Sequence, residues 1–109
     1  MTRKLPDAVI EADLRRLLSQ GWHLVILCRE EPGFRHGQCY SDWVMRIARP
    51  DGGEEYPLVL GRPPFDERRF STLTTLGKFL AKHHFTTPQI PLTVGVRTIN
   101  IPCMAGAPG

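Results

Sequence analysis

One seven-residue run limits the architecture more than any other part of the chain: Trp22-His23-Leu24-Val25-Ile26-Leu27-Cys28. It is apolar on both alternating faces, as expected of a central strand covered on both sides or packed under a helix. Its longest apolar stretch, Leu24–Cys28, is far too short to cross a bilayer. The rest of the chain must therefore supply strands beside it and at least one helix over it.

The flanking patterns supply both. Pro6 and Asp7 suit a first helical turn, and Ile10, Leu14, Leu17 and Leu18 recur at i, i+4, i+7 and i+8. They predict a helix over residues 7–20, with Glu11 and Arg15 as an i,i+4 pair on its outer face and Gly21 as its stop. Residues 29–38, with Pro32, Gly33 and Gly37, read as a loop. A strand over residues 40–49 follows, where Trp43, Met45 and Ile47 alternate with Asp42, Val44 and Arg46. Pro50-Asp51-Gly52-Gly53 then predicts a hairpin turn into a strand at 54–60, which Pro57 demotes toward an edge. Gly61-Arg62-Pro63-Pro64 breaks the sheet. Phe70-Ser71-Thr72 offers an N-cap hydroxyl for a helix over 72–84, whose packing face is Leu73, Leu76, Phe79 and Leu80. Gly77 inside it costs about 1 kcal/mol against Ala and suggests close approach to a strand. Thr86-Thr87-Pro88 ends the helix, a strand is expected at Gln89–Val96, and a further extended piece at Arg97–Ile101. The order is α-β-β-β-α-β: a single α+β domain over residues 1–103, mainly antiparallel, with both helices on one face and a frayed tail at 104–109.

Charge and cysteine content narrow the function classes. The net charge of +3 over 109 residues is mild, but its distribution is uneven. Residues 1–60 carry eight Lys/Arg against nine Asp/Glu, whereas residues 61–109 carry six against two. Eleven of the fourteen cations are Arg, the residue suited to bidentate contact with phosphate or carboxylate. An excess of this kind steers association with nucleic acid or an acidic surface. Three cysteines, Cys28, Cys39 and Cys103, form no disulfide framework, and Cys28 reads as a small core residue. With no signal-peptide pattern at the N-terminus, a cytoplasmic location is the expectation.

Little in the chain points to catalysis. The patterns G-x-S-x-G, G-x-x-x-x-G-K-S/T and G-x-G-x-x-G are all missing. His36 and Cys39 make at most one short ligand pair where a structural zinc needs two. Of His83 and His84, adjacent on a helix, one is expected to pack and the other to be solvated. The carboxylate pairs Glu30-Glu31, Glu54-Glu55 and Asp66-Glu67 are neighbours in loops or strand starts. The expectation is a protein that is not an enzyme and uses neither cofactor nor metal.

The cluster Arg62, Arg68, Arg69, Lys78 and Lys82 is the candidate site. Lys78 and Lys82 share a helix face, and the arginines flank that helix's N-terminus, where backbone N–H groups favour anions. Together they suit contact with several phosphates, though no element for base readout is present. The competing expectation is that Asp66 and Glu67 neutralise the arginines locally.

Two resemblances bear on role. The α-β-β-β-α order is similar to that of the double-stranded-RNA-binding domain, but the basic motif that opens that fold's second helix is replaced here by Thr72-Leu73-Thr74-Thr75. The stretch Arg69-Phe70-Ser71-Thr72-Leu73-Thr74-Thr75-Leu76-Gly77-Lys78-Phe79-Leu80, with tryptophan-bearing strands before it at Trp22 and Trp43, resembles small partition- or replication-associated accessory proteins of plasmids and integrative elements. The resemblance covers residues 22–95 and departs at Gly77 and at Thr86-Thr87-Pro88. It implies a non-enzymatic helper in mobile-element maintenance. The expected partner is DNA or a nucleoprotein complex, with no membrane. The alternative is a protein-interaction module or inhibitor of anti-defence type, acting through a sheet edge or the aromatic-bearing loop Phe34–Tyr40. Homodimerisation through the Pro57 or Gln89–Val96 edge suits either.

Overall fold

The first helix begins later than its leucine spacing suggests, because the residues before it are taken by the sheet. In the computed structural model, which describes residues 8–102, Val9–Ile10 form strand β1 and helix α1 runs Glu11–Ser19. Val9 and Ile10 pair in parallel with Leu58 and Val59. Glu11 and Asp13 then occupy the first turn, where negative charge suits the helix dipole. Leu14 and Leu18 are buried one turn apart. Gly21, at φ 93°, closes the helix in a conformation that L side chains avoid, and its N–H reaches Leu18 O at 3.0 Å. Pro6, Asp7, Cys103 and the tail at 104–109 lie outside the described residues.

The apolar run forms the central strand β2, His23–Cys28, which pairs antiparallel with the long β4, Gln38–Ala48. Alternation sends Leu24, Ile26 and Cys28 of β2, and Trp43, Met45 and Ile47 of β4, into one core with Leu14, Leu18, Leu76, Phe79 and Leu80. Both helices feed that core, so both cover the same sheet face, as expected. Val25 and Val44 are buried on the opposite face. Arg46 and Arg69 share that face by strand alternation. Trp43 also donates its indole Nε1–H to Pro91 O at 2.8 Å, tying the loop before the last strand to the sheet centre.

β4 is the spine on which the other strands assemble. At its start the loop expected at 29–38 contains a strand, β3 at Gly33–Arg35, folded back on it through His36-Gly37. At its end the Asp-Gly turn forms as expected, with Gly52 at φ 81° and Asp51 Oδ1 accepting from Gly53 N at 2.8 Å. That turn leads into β5, Glu55–Val59. At Pro57 itself β5 pairs on one side only, with β4. β5 lies between β4 and β1, and the β1 pairing starts at Leu58, one residue past the proline.

A further strand, β6 at Arg69–Thr72, pairs antiparallel with β4 and leads into helix α2, Leu73–Lys82. Thr72 caps α2 as the sequence indicates, its hydroxyl accepting from Thr75 N at 3.1 Å. Leu76, Phe79 and Leu80 are its buried face. Gly77 makes no close approach: a methyl group there would meet nothing within 4 Å. His84 leaves the helix at φ 68° and Phe85 N bonds Leu80 O at 3.0 Å, ending α2 two residues before the expected boundary.

The strand expected at Gln89–Val96 is irregular instead, because Pro91 interrupts it and Val96 N turns back onto Thr93 O at 3.1 Å. The sheet edge is filled by β7, Arg97–Asn100, antiparallel to β2. Asn100 holds the loop against β7, accepting from Gln89 N at 2.6 Å and donating to Gln89 O at 3.0 Å. The path order is β1-β5-β4-β2-β7, with β3 and β6 on β4. Of the two expected dimer edges, 89–96 is not a strand, and β5 is covered by β1 at Leu58–Val59 while Glu55–Pro57 pair with β4 alone. Among the described residues no helix is long and apolar enough to cross a membrane.

Candidate nucleic-acid interface

The five predicted cations do not share one surface. Arg69 pairs with Val44 across β6 and β4 and so faces away from the helices, where its guanidinium lies 3.5 Å from Asp42 Oδ2. Arg62 is exposed in the 61–64 segment. Arg68, Lys78 and Lys82 do converge, on the side where the start of α1 meets the end of α2. Two open clefts share Glu11 and Lys82 there: Arg15 and His83 line one, and Arg68 and Lys78 line the other.

Glu11 organises this face. Its Oε1 accepts from Arg68 Nη1 at 3.1 Å, and its Oε2 lies 2.9 Å from both Lys82 Nζ and His83 Nε2. The intrahelical pair expected with Arg15 is not made, because both carboxylate oxygens are engaged by the far end of the fold. The ion pair within α1 is instead Arg16 with Asp13, at 3.5 Å. Partial burial pushes the Glu11 carboxyl up, and hydrogen bonds from Lys82, His83 and Arg68 more than offset it, bringing the pKa down from 4.5 to about 2. Glu11 is thus a fixed negative charge.

The donors are held by packing as well as by the carboxylate. The Arg68 guanidinium stands 5.0 Å from the Phe70 ring centre and 5.3 Å from that of Phe79. The His83 ring lies 4.6 Å from Phe79 and is buried, while His84 is exposed, as the pair was expected to divide. His83 Nε2 donates to the Glu11 carboxylate, and its Nδ1 is buried without a partner.

The neutralising acids differ from those expected. Glu67 binds Arg29 at 3.0 Å, and the work assigned to Asp66 and Glu67 falls to Glu11 and Asp42. Four cations, Arg15, Arg68, Lys78 and Lys82, nevertheless surround one carboxylate on this face. Such a cluster of cations is electrostatically suited to oxyanions. The other reactive side chains lie apart: Cys39 is buried in the core, His23 is half-buried and His36 is exposed in the β3–β4 turn. Among the described residues no three His, Cys, Asp or Glu side chains are grouped to hold a metal.

Arg15, Glu11 and His83 were not in the predicted set. Their own segments mark them as a surface pair and a helix-end histidine, and only the meeting of the start of α1 with the end of α2 brings Glu11 and Arg15 to Lys82 and His83. Comparison with protein families, with curated proteins and with solved structures finds no match to this chain.

Proposed function

We propose that this chain is a non-enzymatic binding protein that contacts DNA, alone or within a protein–DNA assembly, through the face bearing Arg15, Arg68, Lys78 and Lys82. The observation that supports it is the convergence of cations from α1, from Arg68 just before β6 and from α2 on two adjoining clefts. Side chains of this kind contact phosphates without reading bases, so binding is expected to be insensitive to sequence. Arg62 and Arg69 drop out of the contact set. The resemblance of the 69–80 stretch is the ground for placing the role in mobile-element maintenance.

Salt titration of duplex DNA binding tests the reading. With four phosphate contacts the slope of log affinity on log salt is expected near roughly −3 to −4. Lys78→Ala with Lys82→Ala is expected to weaken binding uniformly across sequences and to flatten that slope by about two. No detectable binding of the unmodified chain at low salt removes the proposal.

A second reading, a protein-interaction module, is favoured by a separate observation. Leu92, Val94, Val96, Ile99 and Ile101 are all exposed within ten residues, across β7 and the irregular segment before it, and Phe34 at the β3–β4 hairpin is 77% exposed. Apolar surface gathered at one sheet edge suits a partner strand, or a second copy of the chain. Under this reading Ile99→Lys abolishes association measured by sedimentation and leaves DNA binding unchanged.

A further inference from the structure

The cluster at Glu11 has the form of an anion site that already holds an anion. Three donors from two distant segments, Arg68 Nη1, Lys82 Nζ and His83 Nε2, meet at one carboxylate over 2.9–3.1 Å. Arg68 and His83 are packed against Phe79 as well as bonded to that carboxylate, and the His83 side chain is only 4% exposed. His83 Nδ1 is buried without a partner, so the ring's polar contact is the one it makes into this site. Glu11 itself is half-buried, 26% exposed, with an open cleft on either side.

What would displace it follows from charge. A phosphodiester carries one negative charge and two free oxygens, so it can add contacts to these cations but cannot replace Glu11 on all three donors. A phosphate monoester carries about −1.5 to −2 at neutral pH and has three acceptor oxygens, one for each donor. We propose that Arg68, Lys82 and His83 form a subsite for a terminal phosphate monoester, which Glu11 fills as an internal competitor until such a group arrives. The inference rests on the polyanion reading of this face and sharpens it: within a nucleic acid, the group that displaces Glu11 from all three donors is a phosphorylated end, whereas the continuous backbone contacts the cations with Glu11 still in place.

The test compares two oligonucleotides of one sequence, one with a 5′-phosphate and one with a 5′-hydroxyl, against the full chain by fluorescence anisotropy. The phosphorylated end is expected to bind about tenfold more tightly, the scale of one added charge-assisted hydrogen bond. Inorganic phosphate is expected to erase that difference while leaving the residual binding. Glu11→Gln removes the competing charge and is expected to raise affinity for the phosphorylated oligonucleotide several-fold, whereas Glu67→Gln, on the acid that pairs with Arg29, does not. Equal affinity of the unmodified chain for both oligonucleotides overturns the subsite and leaves the polyanion reading standing. Failure of both oligonucleotides and of duplex DNA to bind overturns the two together. The comparison on the unmodified chain requires no variant to fold.

Discussion

Glu11 shows how one side chain ties local and global structure together. Its place in the first turn of α1 suits the helix dipole, and its contacts with Arg68, Lys82 and His83 clamp the start of that helix to the end of α2. Because its folded pKa lies below the ordinary 4.5, at about 2, the stability it contributes is present above pH 4.5 and is lost as pH falls toward 2. At neutral pH Glu11→Gln is expected to cost about 1–2 kcal/mol, a figure reduced for solvent screening of a partly exposed group. Urea unfolding at a series of pH values checks it: the gap between the two proteins should close between pH 4.5 and 2, and a constant gap contradicts the linkage. Trp43 acts at the same scale. Replacing it by Phe removes the buried hydrogen bond to Pro91 O and is expected to destabilise by about 1–3 kcal/mol in the same assay.

At the scale of elements, what could be read from the sequence depended on whether the signal was local. The Asp-Gly turn, the Thr72 cap, the Gly21 stop and the alternation of Trp43, Met45 and Ile47 each involve a few neighbouring residues, and each appears where it was expected. β1, β3 and β6 have two to four residues each and exist because β4 and β5 offer them a ladder, so no periodicity within them announces a strand. The 89–96 stretch misled in the opposite direction: its apolar alternation is a strand pattern, but Pro91 and the turn at Thr93–Val96 keep it irregular. Two substitutions test these local accounts. Gly77→Ala should stabilise by roughly 0.5–1 kcal/mol, since the added methyl meets nothing and helix propensity favours it. Thr72→Ala should cost about 1 kcal/mol through loss of the cap. Both are read as shifts in the midpoint of thermal or denaturant unfolding, and destabilisation by Gly77→Ala would mean that the backbone there is not the open helix described.

At the scale of the whole molecule, the charge asymmetry between the two halves of the sequence does not survive folding. Four of the six cations in residues 61–109 pair with acids from residues 1–60: Arg68 and Lys82 with Glu11, Arg69 with Asp42, and Arg97 with Glu55. What remains is a smaller face, drawn from both halves, with Arg15 added and Arg62 and Arg69 removed. The candidate site was therefore legible as a set of charges but not as a surface, because strand alternation sends adjacent Arg68 and Arg69 to opposite sides of the sheet. The central claim is that position rather than net charge decides binding. It is tested most directly by two double variants that remove the same charge, Arg15→Ala with Lys78→Ala and Arg35→Ala with Arg69→Ala, compared by salt-titrated DNA binding. The account predicts that the first pair flattens the salt slope by about two and the second leaves it unchanged; equal losses from both pairs would contradict it.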